Sequence, residues 1–117
     1  MTEHGREAPR HRVVTTTAEA APGSGIGEQL ALMRALVRGG VTAPAFQHAW
    51  LAARRRALQE RERAGGAVEQ ALEDAFWAVE DYVADPALRD PGDLDDDQMT
   101  TRIHDVLTRL DTSERSP

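Results

Sequence analysis

A tryptophan among carboxylates is the feature of this sequence with the most direct chemical use. Residues 67–84 carry Val68, Leu72, Ala75, Phe76, Val79 and Val83 at helical spacing, which marks one buried face. On the same wheel Trp77 falls about 150° from the centre of that stripe. Glu73, Asp74, Glu80 and Asp81 flank it. Trp is among the residues most enriched at interface hot spots, so this face reads as an anchor in an acidic surround. The competing reading is local: the N-terminal segment covers Trp77, or an arginine of the same chain stacks on it.

Downstream, Asp85, Asp90, Asp93 and Asp96 continue the acidic run through a loop. Such acids serve a basic partner or their own backbone. Asp85 and Asp90 each precede a Pro, as in turns, and acids at a helix start suit its dipole. Asp95 reads as a helix cap, and Arg89 as a tie to one of these carboxylates. Glu73, Asp74, Trp77, Glu80, Asp81, Asp85, Asp90, Asp93 and Asp96 form the candidate partner-binding set.

Other chemistries fit poorly. The chain has no Cys, which removes disulfides, thiol catalysis and cysteine-based zinc sites. Its four histidines, His4, His11, His48 and His104, form no H-x-x-x-H or E-x-x-H pair, so no helical metal site is expected. Asp93, Asp95 and Asp97 match the first ligands of a calcium loop. Gln98 then stands where the loop needs Gly, and His104 where it needs a bidentate Glu. Residues 23–27, Gly-Ser-Gly-Ile-Gly, follow no strand and precede no Lys, which suits a linker better than a phosphate loop. Arg54, Arg55 and Arg56 read as pairing with acids on neighbouring helices rather than as an RNA contact. No catalytic residue and no cofactor are expected.

Four amphipathic segments position these residues. They are expected near 26–38, 43–63, 67–84 and 95–111. Ile26, Leu30, Met33 and Val37 carry the first, which Gly39-Gly40 ends. Thr42 caps the second, with Pro44 in its first turn. Phe46, Trp50, Ala53 and Ala57 are its buried face, and Gly65-Gly66 its stop. Asp85-Pro86 closes the third. The fourth opens on Asp95 and Gln98, spaced as a capping box, with Leu94 and Met99 as a hydrophobic staple. No strand signal stands out. The expected fold is all-α, an antiparallel four-helix bundle over 25–112, with a disordered N-terminal arm (1–24) and a disordered tail (113–117).

The 117 residues suit one small domain. No apolar run has the length of a membrane span, and the opening MTEHGREAPRHR lacks the apolar stretch of a secretory signal. A cytoplasmic location and no membrane partner are therefore expected. The net charge of −6 is segregated. Residues 1–24 are neutral and 25–66 carry +4. Residues 67–117 hold fourteen acids against four arginines, or −10. That half is unsuited to phosphate contacts, so no direct nucleic-acid binding is expected, and it suits a basic partner.

The stretch from Phe76 to Asp95, FWAVEDYVADPALRDPGDLD, resembles the colicin D immunity family, the bacterial self-protective colicin-like immunity proteins. The pattern is an aromatic pair, an acid, Tyr82, then D-P-x-L-R-D, then D-L-D opening a helix. Residues 32–46, LMRALVRGGVTAPAF, look like that family's opening helix, small turn and restart. The resemblance spans about residues 28–110. One departure is Glu80, where the family pattern has Asp. The resemblance implies a four-helix bundle that binds and inhibits a cognate bacteriocin-type toxin. It further implies that the toxin is a tRNA-cleaving nuclease whose basic cleft is filled by acidic side chains. The alternative is a helical adaptor or regulatory bundle whose basic partner is not a toxin. An enzyme is the least supported class.

Overall fold

The structure, a computed structural model, describes residues 13–116. The order is β1 (Val13–Val14), a 3-10 turn at Thr17–Glu19, α1 (Gly25–Arg38), α2 (Ala43–Gln59), β2 (Arg63–Ala64), α3 (Gly66–Asp81), a 3-10 turn at Pro86–Leu88, and α4 (Asp96–Arg115). Helix dominates, as the periodicities require.

Side-chain caps set most helix starts. Ser24 Oγ accepts from the Gly27 amide at 3.0 Å, and Thr42 Oγ1 from Ala45 at 3.3 Å. Asp95 accepts from the Gln98 amide at 2.8 Å, and Gln98 Oε1 accepts from the Asp95 amide at 2.9 Å. This reciprocal box satisfies two of the groups a helix start leaves open. Leu94 and Met99 are both buried beside it, as the staple requires. At the end of α1, Gly39 takes φ +82° and Gly40 N–H reaches Ala35 O at 2.8 Å, a left-handed stop that favours glycine.

Three boundaries differ from the expectation. α2 ends at Gln59, not near 63. Arg61 adopts φ +58°, Arg61 N–H bonds Leu58 O, and Glu62 N–H bonds Ala57 O at 2.9 Å. This is the glycine-type stop made by an arginine. The chain then pairs Arg63 with Val13 and Ala64 with Val14 as a short parallel ladder, where no strand was expected. α3 ends at Asp81, so Val83 leaves the stripe. There Leu94 N–H bonds Asp81 O at 2.8 Å and Val83 N–H bonds Leu94 O at 3.2 Å. The Gln47 carboxamide donates to Val79 O and Tyr82 O, taking up carbonyls that the helix end exposes. α4 runs on to Arg115, into the segment expected as a disordered tail.

Residues 13–24, within the segment expected as an arm, contact the rest of the chain. Besides the ladder, Thr17 donates from its amide and hydroxyl to Glu114 of α4, at 2.6 and 2.9 Å. Residues 1–12 and 117 lie outside the described residues.

α1 packs on α2 and on α4, and α3 packs on α4. The core holds Met33, Phe46, Trp50, Val68, Val79, Met99 and Ile103, all fully buried. At Gly25 a Cβ would lie 2.6 Å from Ala57 Cβ and 2.7 Å from Ala53 O, so the missing side chain lets α1 touch α2. On α3 the buried residues are Val68, Ala71, Ala75, Ala78 and Val79. The stripe is therefore turned toward alanines that permit close packing on α4. Leu72 and Phe76, expected within it, stand half-buried at its edge. Among the described residues no helix is long and apolar enough to cross a membrane.

Candidate protein-binding surface

The turned stripe decides what α3 presents to solvent. Trp77 is 56% exposed, so no described residue covers it. Its ring meets Phe76 edge-on, centroids 5.4 Å apart and planes at 69°. The Arg54 guanidinium lies over Phe76, 4.3 Å from the ring centre. The stacking arginine therefore occupies Phe76 and leaves Trp77 open. Leu58 on α2, 61% exposed, adds a second apolar side chain beside it.

A cavity of about 400 Å³ opens between α2 and α3 at this point. Trp77, Phe76, Leu72 and Leu58 form its apolar walls, and Arg54, Glu62, Glu69 and Glu73 bring charge to it. Gln29 of α1, 3% exposed, also lines it. Glu62 is already committed: its two oxygens accept from the Gly25 and Ile26 amides at 2.9 and 2.8 Å. A carboxylate there satisfies open amides and meets the positive end of α1.

The candidate acids divide into two groups. Glu73, Glu80 and Asp81 are exposed near Trp77 on α3, within one turn of it. Asp74 is partly withdrawn, accepting from Gln70 at 2.9 Å and pairing with Arg109 of α4 at 3.4 Å. The loop acids are mostly occupied by their own chain. Asp85 accepts from the Ala87 amide at 3.0 Å and Asp93 from the Asp90 amide at 2.8 Å. Asp96 accepts from the Tyr82 hydroxyl at 2.6 Å and faces Arg89 at 3.6 Å. Arg89 also donates to Val83 O and Ala84 O, so it is the tie between loop and carboxylate that its position suggests. Asp90 is exposed. The acids at the start of α4 border a separate depression with Arg89 and Pro86. Trp77 is thus joined by Glu73, Glu80 and Asp81 and not by the loop set.

Burial beside Asp96 has a chemical consequence. Tyr82 is 3% exposed. Burial first, then its hydrogen bond to Asp96, pushes its hydroxyl up to about 12.

Sequence reasoning missed Leu58, Glu69, Arg54 and Gln29 as parts of this surface. Gln29 was findable: it is a polar residue three after Ile26 and four before Met33, on the core face of α1. The arginine triplet forms no ion pair among the described residues. Arg54 stacks on Phe76 and Arg56 donates to Gly23 O at 3.2 Å. The ion pairs between helices are Arg34–Asp111 and Arg109–Asp74. No group of three or more His, Asp or Glu converges as for a metal among the described residues. Comparison of the chain with protein-family models, with curated proteins and with solved structures finds no match.

Proposed function

We propose that the chain is a non-enzymatic binding protein that presses the Trp77 face of α3 against a basic protein, and that this partner is a bacteriocin-type nuclease. Its role would be that of a cytoplasmic immunity protein, blocking the toxin's cleft by sterics and charge. The four helices would act as an antiparallel bundle holding α3 rigid. The observation that carries the reading is Trp77, a large ring 56% exposed beside the exposed carboxylates Glu73, Glu80 and Asp81. One edge-on contact with Phe76 gives an exposed Trp little stabilising use for its apolar area, whereas a partner gains from desolvating it. The resemblance of residues 76–95 to colicin D immunity proteins supports a toxin as that partner.

The reading is tested by affinity purification from the native host, followed by a nuclease assay on tRNA. A basic nuclease that co-purifies and is inhibited by added protein supports it. A stoichiometric partner without nuclease activity would instead favour an adaptor. An association rate with that nuclease that is unchanged from low to high salt would exclude electrostatic steering, because exposed charges are screened beyond about 10 Å at 0.1 M.

A further inference from the structure

We infer that the cavity between α2 and α3 is a socket for one arginine side chain of the partner. The inference rests on the proposed function for the existence of a basic partner, and it adds the contact that the partner would make. Three observations converge. The first is Gln29. It is 97% buried by its 3% exposure, it lines the cavity, and its carboxamide has no hydrogen-bond partner among the described residues. Among the described residues the one sealed side-chain nitrogen without a partner is Trp50 Nε1, so the unpaired Gln29 carboxamide is not sealed and opens onto the cavity it lines, where a group that enters can bond it.

The second is the wall. Leu58, Leu72 and Trp77 offer apolar surface to the methylenes of a long side chain. The exposed indole of Trp77 offers a face for a cation, and Arg is the side chain that uses such faces most. The third is charge. Glu69 and Glu73 are exposed at the rim and neither side chain bonds to a described residue, although Arg54 lines the same cavity. Arg54 is held on the Phe76 ring instead, 4.3 Å from its centre. Three carboxylates then face one guanidinium, so the socket is negative. A planar guanidinium can bond a carboxylate with two donors and reach the Gln29 carbonyl oxygen with another. A lysine ammonium lacks that fork.

The experiment uses the full chain and N-acetyl-argininamide as probe, followed by amide and indole NMR shifts. Saturable shifts of the Trp77 indole and the Gln29 carboxamide are expected, with a dissociation constant on the order of 1 mM for so small a ligand. N-acetyl-leucinamide should bind at least about tenfold more weakly. Glu69→Gln/Glu73→Gln, at two exposed positions, should fold normally and weaken the arginine probe about tenfold. Gln29→Met should weaken it while keeping the side chain's length. Equal shifts with both probes, or no saturation in the folded parent, would overturn the socket. Binding seen only in an Arg6→Ala/Arg10→Ala/Arg12→Ala chain would also overturn it, since the occupant is then the chain's own arginines. A partner that needs Trp77 while the probe fails leaves the proposed function standing and removes the socket. A probe that binds as expected while no basic protein co-purifies from the host keeps the arginine site and removes the proposed function.

Discussion

Trp77 stands edge-on to Phe76, and the two neighbours divide their roles: Phe76 is half-buried beneath Arg54, while Trp77 faces solvent. Removing the exposed ring loses one aromatic pair and little else. Trp77→Ala should therefore cost about 1 kcal/mol of stability or less. It should weaken partner binding by roughly 2 kcal/mol or more. Phe76→Ala should cost roughly 2 kcal/mol of stability, below the 3–5 of a fully buried ring, and its folded fraction should lose less binding than the Trp77→Ala chain does. Thermal melts paired with binding titrations separate the two. A Trp77→Ala chain that melts early yet binds like the parent would remove Trp77 from the interface.

Arg61 and Glu62 act as one device. The left-handed backbone at Arg61 turns the chain out of α2 and delivers the Glu62 carboxylate to the first amides of α1. A side chain at that φ is strained by about 1 kcal/mol. Arg61→Gly should raise stability by roughly that amount, while Glu62→Gln should lower it by about 1–2 kcal/mol through loss of a charged cap. Urea unfolding of the two variants reads opposite signs. A destabilised Arg61→Gly chain would mean that the arginine side chain contributes more than its backbone costs.

Gly25 is a packing requirement of a different kind. Its φ is not left-handed, and only space forbids a side chain there, 2.6 Å from Ala57 Cβ. Gly25→Ala should push α1 from α2 and cost about 1–3 kcal/mol. Denaturant midpoints check it, and an unchanged midpoint would mean that the two helices separate freely.

The four helices and the capping box at Asp95 were legible because each rests on residues close in sequence. What the sequence concealed depends on partners far along the chain. Arg61 stops α2 without the glycine that usually signals such a stop, so the sequence pattern carries the helix on to about residue 63. Tyr82 and Val83 left α3 early because Leu94 pairs with that stretch of backbone and Gln47 takes up the last carbonyls. The arm and the tail each look unstructured alone, yet Thr17 and Glu114 bind each other. The same holds for the surface. Trp77 was visible on a wheel, but Leu58, Glu69 and Gln29 join it only once three helices meet. The loop acids look available in sequence because nothing local shows that Asp93 and Asp96 already hold a turn and a phenol.

Arg34 and Asp111 link α1 to α4 through two hydrogen bonds, at 2.8 and 3.2 Å. The Arg34 donors hold the Asp111 carboxyl below the usual carboxylate range. A lowered value means that its stabilising contribution is present above the ordinary carboxylate pKa and lost as pH falls through the lowered one. Asp111→Asn should therefore lower stability at neutral pH and flatten the acid limb of the stability profile. The change is modest, because the pair is over one-third exposed on both sides. An acid limb identical to the parent's would mean that other carboxylates govern it.

Tyr82 offers the sharpest pH test, since it is the chain's single tyrosine. Its hydroxyl donates to Asp96 at 2.6 Å at the junction of α3 and α4, and the fold pushes it up to about 12 from an ordinary value of 10. A raised value favours the neutral phenol. Its stabilising contribution is thus complete below about pH 10 and is lost as pH rises toward about 12. Phenolate absorbance should stay low at pH 10 to 11 while circular dichroism remains helical. It should appear either near pH 12 or together with alkaline unfolding. In urea the same absorbance should titrate near the ordinary value. Asp96→Asn removes the neighbouring negative charge and leaves burial, so the midpoint should move only part of the way down. Tyr82→Phe should remove this loss of stability in alkali while costing the hydrogen bond, about 1 kcal/mol. Phenolate at pH 10 in a fully helical chain would show that the hydroxyl is neither buried nor held by Asp96.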